Sequence, residues 1–302
     1  MKLATNKTKI KQTRADNAFD AVTITLSLLL FVIFAYPLYF IIIASFSDPS
    51  AVWSGHVKML PVGFSLEGYQ EILKNVEIWT GYLNSIFYTG FGVLVNLFFT
   101  FLGAYVLSCK EFLPRNVIMK LITFTMFFGG GLIPTFLLVK GLKMLDTVWA
   151  MVLPIAVNVQ NFIITRTFIQ NNIMGELKEA AFLDGSSHTT FLIKIVLPLS
   201  KAIIAVMALY YGVDHWNSYF NAMIYLSDRD KFPLQLILRE ILLASQNVDN
   251  AGASPEMVAK QLRLADSLKY STIIVASIPA LIAYPFVQKF FVKGVMIGSI
   301  KG

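Results

Sequence analysis

Long apolar runs separated by short polar ones dominate the chain. They lie at approximately Phe19–Phe46, Gly81–Ser108, Val117–Val139, Val148–Phe168, Leu199–Leu226 and Tyr270–Phe291, and each reaches or exceeds the roughly 20 residues that a helix needs to cross a bilayer. A helix pairs its own backbone groups where no water is available, so the pattern predicts an all-α membrane protein of six transmembrane helices. Several runs carry helix breakers: Pro37; Gly129, Gly130 and Gly131 with Pro134; Pro154; Pro279 with Pro285. Breakers are tolerated in a membrane where neighbouring helices or a water-filled route satisfy the freed groups. They therefore point to a packed bundle around a path.

The pattern divides the chain into a polar, basic amino-terminal segment (1–16), a transmembrane domain (17–292) and a tail (293–302). Two connections, 170–198 and 227–269, are longer than tethering requires. The run after residue 16 exceeds the 7 to 15 residues, roughly, of a signal-peptide core, so it reads as a retained first helix.

Composition agrees. Of 302 residues, 56% are hydrophobic and 14% charged, and the mean hydropathy is +0.65. Soluble domains carry about 25% charged residues, and a soluble core of this size has no room for so much apolar surface. The net charge of +7 is a property of particular loops and not a nucleic-acid footprint. Lys2, Lys7, Lys9, Lys11 and Arg14 precede the first span; Lys110, Arg115 and Lys120 flank the second connection; Lys289, Lys293 and Lys301 follow the last span. Six crossings put all of these on one side, which predicts that both termini are cytoplasmic. The first outer loop is acidic, with Asp48, Glu67, Glu71 and Glu77 against Lys58 and Lys74. A single cysteine, Cys109, excludes an intrachain disulfide.

The connection Gln170–Pro198 carries the most specific pattern. Ile173, Leu177, Ala180 and Ala181 recur at helical spacing with Glu176, Lys178 and Glu179 on other faces, which predicts a short amphipathic helix. Gly185 stands at its stop, Ser186 or Ser187 is placed to cap a second helix, and Pro198 ends the segment. Taken alone, such a helix could also lie on the membrane surface. In the longer connection 227–269, stretches such as Leu234–Leu243 are amphipathic and read as a cap on the bundle.

Glu179, Ala180 and Ala181, then Gly185, Ile195, Leu197 and Pro198, resemble the EAA loop of ATP-binding-cassette (ABC) importer permeases in residue type and spacing. The resemblance implies a coupling helix seated in a cleft of a separate ATPase subunit, with Glu179, Ala180, Ala181, Leu183, Asp184, Gly185, Ile195, Leu197 and Pro198 as the coupling set. In that role the small pair Ala180 and Ala181 permits close approach, and Glu179 offers a partner for a basic residue. Consistent with a separate ATPase, the chain has no GxxxxGK[ST] loop. The span pattern, the Trp216–Asn217 pair and the ending Lys293, Gly294, Gly298, Lys301, Gly302 resemble the smaller permease of maltose-permease-type carbohydrate importers. Phe64 to Tyr69 and the Gly129–Gly131 run resemble the branch that imports complex oligosaccharides. The family implies a type I ABC importer permease fold in a bacterial cell membrane. It also implies a second homologous permease, two ATPase subunits that hold the ATP and Mg, an external sugar-binding protein, and a tail (Gly294, Gly298, Lys301, Gly302) that contacts the ATPases. No cofactor is expected on this chain itself.

Asp214, His215, Trp216 and Asn217 interrupt the fifth span. A charged group at mid-bilayer costs on the order of 2.5–3.5 kcal/mol on insertion scales, so these residues should face the bundle interior or water. They are candidates for a polar wall of the path, with Trp216 as a stacking face for a sugar ring; the alternative is helix-to-helix hydrogen bonding. Asn158 and Asn161, with Gln160 between, are candidates on the fourth span. Asp184, Ser186, Ser187 and His188 share a short exposed loop and lack the enclosed pocket a hydrolase needs. His56, His188 and His215 have no metal-ligand spacing. The rival class is a secondary sugar transporter driven by an ion gradient, but the chain shows no internal repeat and Asp214 is its one expected buried acid.

Overall fold

The computed structural model describes residues 13–246 and 268–282, with 284, 285 and 288. Among these residues there is no strand, and one isolated antiparallel bridge joins Ser47 to Phe64. Helix α1 (Arg14–Ser45) begins with a capping box: the Thr13 hydroxyl accepts from the Asp16 N–H, and the Asp16 carboxylate accepts from the Thr13 N–H. Its 32 residues extend about 48 Å, more than the roughly 30 Å of a hydrocarbon core. Apart from its last turn it is almost wholly exposed, as an outer stave would be.

Short helices α2 (Pro49–Trp53) and α3 (Glu67–Lys74) lead into α4 (Val76–Ser108), the central stave. Its buried positions, including Ile78, Gly81, Ser85, Tyr88, Gly92, Asn96, Thr100 and Ala104, recur every three or four residues. That spacing draws one stripe along a helix, and α8, α12 and α14 pack on it.

The remaining spans are bent. The run Val117–Val139 breaks at its glycines: helices α5 (Arg115–Phe127) and α6 (Leu132–Gly141) meet at 116°. Gly131 takes φ +84, a conformation that a Cβ would strain, and α6 starts from it. Helix α7 (Val148–Val152) tightens into a 3-10 turn at Leu153–Ile155, where Pro154 supplies no N–H, and α8 (Val159–Asn172) leaves at 56°.

Helix α9 (Glu176–Leu183) is followed by α10 (His188–Phe191), a π turn (Leu192–Val196) and α11 (Leu197–Leu199), which meet α12 (Lys201–Trp216) at 79°. The fifth span, expected over Leu199–Leu226, therefore stops at Trp216 and resumes as α13 (Phe220–Tyr225). Helix α14 (Leu234–Gln246) covers the start of α4: the Leu234 N–H donates to Ser85 Oγ at 2.8 Å. The last described helix is α15 (Leu268–Ile282). Among the described residues, helices α1 and α4 are each long and apolar enough to cross a bilayer, and the three bent pairs bring such spans to five if each pair counts once. The main core lies where α4, α8, α12 and the α9–α10 segment meet, around Phe101, Tyr105, Phe162, Ile169, Phe191, Met207 and Tyr211.

Candidate functional site

Two polar regions sit near α4: the α9–α10 loop at its far end and a cavity beside its middle. In the loop, the chain turns at Gly185, whose φ is +80. The Gly185 N–H donates to the Phe182 carbonyl and the Ser186 N–H to the Ala181 carbonyl, the paired bonds of a Schellman stop. A Cβ on Gly185 would meet nothing within 4 Å, so the chain itself demands glycine only for the backbone angle. Ser187 caps α10, its Oγ accepting from the Thr190 N–H at 3.2 Å.

The loop divides the expected coupling set between two faces. Glu179, Ala180, Leu183, Asp184, Gly185 and Pro198 are exposed, and Leu183 is 88% exposed, an apolar side chain held out in the open. Ala181 is buried in the chain's own core, with Ile195 and Leu197 packed against that core. The close-approach surface thus rests on Ala180 alone, because Ala181 shares the core-facing side of α9 with Lys178, three residues earlier, while Ala180 lies one helical step, about 100°, away from it.

Lys178 points inward, 8% exposed. It pairs with Glu111, in the turn after α4, and lies over the Phe182 ring at 5.4 Å. The ammonium beside Glu111 holds that carboxyl below the usual carboxylate range. His188 packs edge-on to Phe182 at 4.8 Å and meets the Tyr105 hydroxyl through Nδ1 at 3.1 Å.

The cavity, of about 440 Å3, is lined by side chains from α4, the α7–α8 break, and the end of α12 with the turn beyond it. Asn96 donates through Nδ2 to the Ile155 carbonyl at 2.7 Å, which the bend has freed, and its Oδ1 meets His215 Nε2 at 2.8 Å. With Asn96 oriented so, His215 is the Nε2–H tautomer. One step along, Tyr211 bridges Thr100 at 2.7 Å and the Asn158 N–H at 3.4 Å. Gly92 makes room for the imidazole, since a Cβ there would stand 2.3 Å from His215 Nε2.

Of the candidate path residues, Asn158, Asp214, His215 and Asn217 line this cavity. Asn161 is buried in α8, where its N–H is capped by the Asn158 side chain, and Gln160 is exposed away from the lining. Of the two roles open to Trp216, the structure has the helix-to-helix hydrogen bond. The residue is 9% exposed; its ring packs edge-on against Tyr82 at 5.7 Å and donates Nε1–H to the Ala276 carbonyl at 3.2 Å, so it joins α12 to α15. Aromatic residues do line the cavity: Tyr211, Tyr219 and Phe220. The sequence reading missed these and Asn96, although an asparagine inside the run Phe91–Phe101 is the kind of intramembrane polar group that signals an interior contact. The tail residues Gly294, Gly298, Lys301 and Gly302 lie outside the described residues.

Known proteins decide the family. The chain is 40% identical over 287 residues, 95% of its length and 99% of the relative's, to the polygalacturonan/rhamnogalacturonan transport system permease protein YtcP of Bacillus subtilis (strain 168). It is 38% identical over 290 residues to protein LplC of the same organism, with 96% of this chain and 97% of the relative covered. The chain belongs to the carbohydrate permeases of ABC importers. A solved structure agrees with this permease at a TM-score of 0.82 and 33% identity, covering 93% of this chain and 99% of the other; it is a chain of a bacterial ABC transporter involved in the import of the acidic polysaccharide alginate. No family model matches the permease.

Proposed function

We propose that this permease forms one half of the route through an ATP-driven importer of the bacterial cell membrane, and that its cargo is an oligosaccharide handed over by an external binding protein. A second homologous permease completes the route, and two ATPase subunits carry the ATP and Mg. The observation that carries this reading is the α9–Gly185–α10 loop, a two-helix knob with Leu183 and Glu179 held outward and its other face packed on the core. An exposed leucine beside an exposed carboxylate suits an apolar cleft rimmed by a basic group on an ATPase. The chain crosses the membrane six times in this reading, with both termini and the α9–α10 loop in the cytoplasm and the α14 region outside. The tail 293–302 reaches the ATPases. Asn158, Asp214, His215 and Asn217 line the route, while Asn161 and Trp216 hold its wall.

The names of the relatives bear on the cargo: polygalacturonan and alginate are polymers of uronate sugars. A uronate-containing oligosaccharide is therefore the cargo proposed here. Aromatic rings and amide side chains around the cavity suit the apolar face and the hydroxyls of a pyranose. The test is reconstitution with the co-purifying permease, ATPases and binding protein. Oligogalacturonate is expected to stimulate ATP hydrolysis and to enter vesicles. Gly185→Val and Glu179→Lys should abolish uptake, by uncoupling or detaching the ATPase, while capture by the binding protein persists. Normal import by both variants overturns the assignment of the loop. Uptake that survives ATP depletion and collapses with an ion gradient overturns the ATP-driven reading.

A further inference from the structure

Chain continuity joins the α9–α10 loop to the cavity through a compliant route: a π turn, then a 79° bend, then α12. A second route is straight. The end of α4 and the turn that follows it touch the loop through two side-chain contacts distant in sequence: His188 with Tyr105, in the last turn of the helix, and Lys178 with Glu111, three residues past its end. The same helix reaches the cavity at Asn96, nine residues before Tyr105, or about 14 Å along an unbroken helix without proline.

A lysine buried to 8% exposure is costly unless its charge is paired, and Glu111 is its one ion-pair partner among the described residues. Exposed Glu176 and Glu179 on the same helix form no ion pair there, so the charge of the lysine is committed to the turn after α4 and not to α9 itself. Lys178 turned inward also sets which face α9 presents, with Glu179, Ala180 and Leu183 outward. Two discrete contacts and one rigid rod are the physical means by which a displacement at one site arrives at another.

We propose that the Lys178–Glu111 ion pair is a strut through which movement of the α9 loop is passed to α4 and so to the cavity, which makes Lys178 and Glu111 positioning residues for coupled transport. This rests on the reading of the loop given above.

The test uses the assembled complex with Asn217→Cys, a position on the cavity wall, labelled by a water-soluble methanethiosulfonate; Cys109, the single native thiol, is buried and provides the control. In the parent, trapping the ATPases with ATP and vanadate changes the labelling rate. Lys178→Met keeps the volume and packing over Phe182 and removes the buried charge, so it should assemble; Glu111→Gln leaves the lysine an amide oxygen in place of the carboxylate and is read per assembled complex. Each is expected to shrink the vanadate-induced change by roughly two- to thirtyfold at undiminished ATP hydrolysis, the range that coupling energies along such contacts produce. The double variant should be no worse than either single, and Lys178→Arg should recover most of the response. A purely structural pair would instead lower the yield of complex and leave the response per assembled complex intact, which overturns the strut. So does a normal response in Lys178→Met when Gly185→Val abolishes it. If neither variant alters the response, or the parent shows none, the coupling reading of the loop fails together with the strut.

Discussion

The two ends of α4 are built on opposite principles. At the α14 end the polar groups answer one another: Arg229 holds Glu77 through two hydrogen bonds and Glu240 through a third, and Lys231 bridges Asp146 and Asp228. Asp146 also accepts the N–H groups of Ser227 and Asp228, both at 3.1 Å, while Asn84 and Tyr88 tie α4 to the carbonyls of Asp230, Phe232 and Lys231. At the α9 end the inward side chains of the loop are paired, Lys178 with Glu111 and His188 with Tyr105, and the outward ones are not. Leu177 and Leu183 stand 49% and 88% exposed, and Glu176 and Glu179 form no ion pair among the described residues. A surface that has used its own hydrogen-bonding and charge capacity is a closure. One that leaves leucines and carboxylates unused has chemistry to offer another protein.

This contrast is broken most severely by Gly81→Leu. A Cβ at Gly81 would stand 2.5 Å from Ile237 Cδ1 and 3.1 Å from the Leu234 backbone, so α14 must move; a loss of about 2–3 kcal/mol should appear as a lower unfolding temperature in detergent. Gly90→Leu, with nothing within 4 Å of its Cβ in this chain, is the control that should unfold no lower than the parent, since a glycine inside a helix is itself unfavourable.

At the other end Leu183→Ser should leave the stability of the chain unchanged, because the side chain already lies in the open. Under the proposed function it should weaken capture of the ATPase by about tenfold, the worth of part of a leucine burial. Equal capture by parent and variant in a pull-down would show that the exposed leucine is not a docking contact.

Asp146→Asn has a smaller effect and a pH signature. Hydrogen bonds from the Ser227 and Asp228 N–H groups, then from Lys231, keep this carboxyl below its ordinary range. A lowered folded value means that the stability it contributes is complete above the unfolded value and fades as pH falls through the folded one. Unfolding temperature in acid should therefore drop less steeply in Asp146→Asn than in the parent, and the gap between them should be largest near neutral pH. Identical acid slopes would remove Asp146 from the account of this closure.

The smallest effect belongs to Glu71→Gln. The Glu71–Lys74 pair, 2.9 Å apart, is solvated on both sides, with side chains 42% and 69% exposed. Screening leaves it within about 0.5 kcal/mol of nothing. A larger shift in unfolding temperature would mean that the closure extends beyond the network around Arg229 and Asp146.

Much of this was legible in order along the chain, because its causes are local. Apolar runs mark the helices, since lipid leaves an unpaired backbone group no solvent. Gly185 marks the stop of α9, since its left-handed φ strains any residue with a Cβ, and the pair Ser186 and Ser187 marks the cap of α10, which Ser187 supplies. The amphipathic stretch Leu234–Leu243 marks α14, which lies on the bundle as its apolar stripe requires. The glycine run signalled a break after Phe127, although its 116° angle depends on neighbours no local pattern names.

What only the tertiary structure decided is which way the polar residues turn. Asn96 and His215 are 119 positions apart and meet across a gap that Gly92 opens. Lys178 and Glu111 are 67 apart, and pairing them reverses the direction in which an amphipathic pattern would point the lysine. Trp216 could have faced a sugar or a helix from its position in the sequence alone; the Ala276 carbonyl and the Tyr82 ring took it inward. Helical periodicity is fixed by bonds between residues three and four apart, whereas a polar side chain inside a bundle goes to whichever distant partner satisfies it, and that partner exists only once the helices have packed.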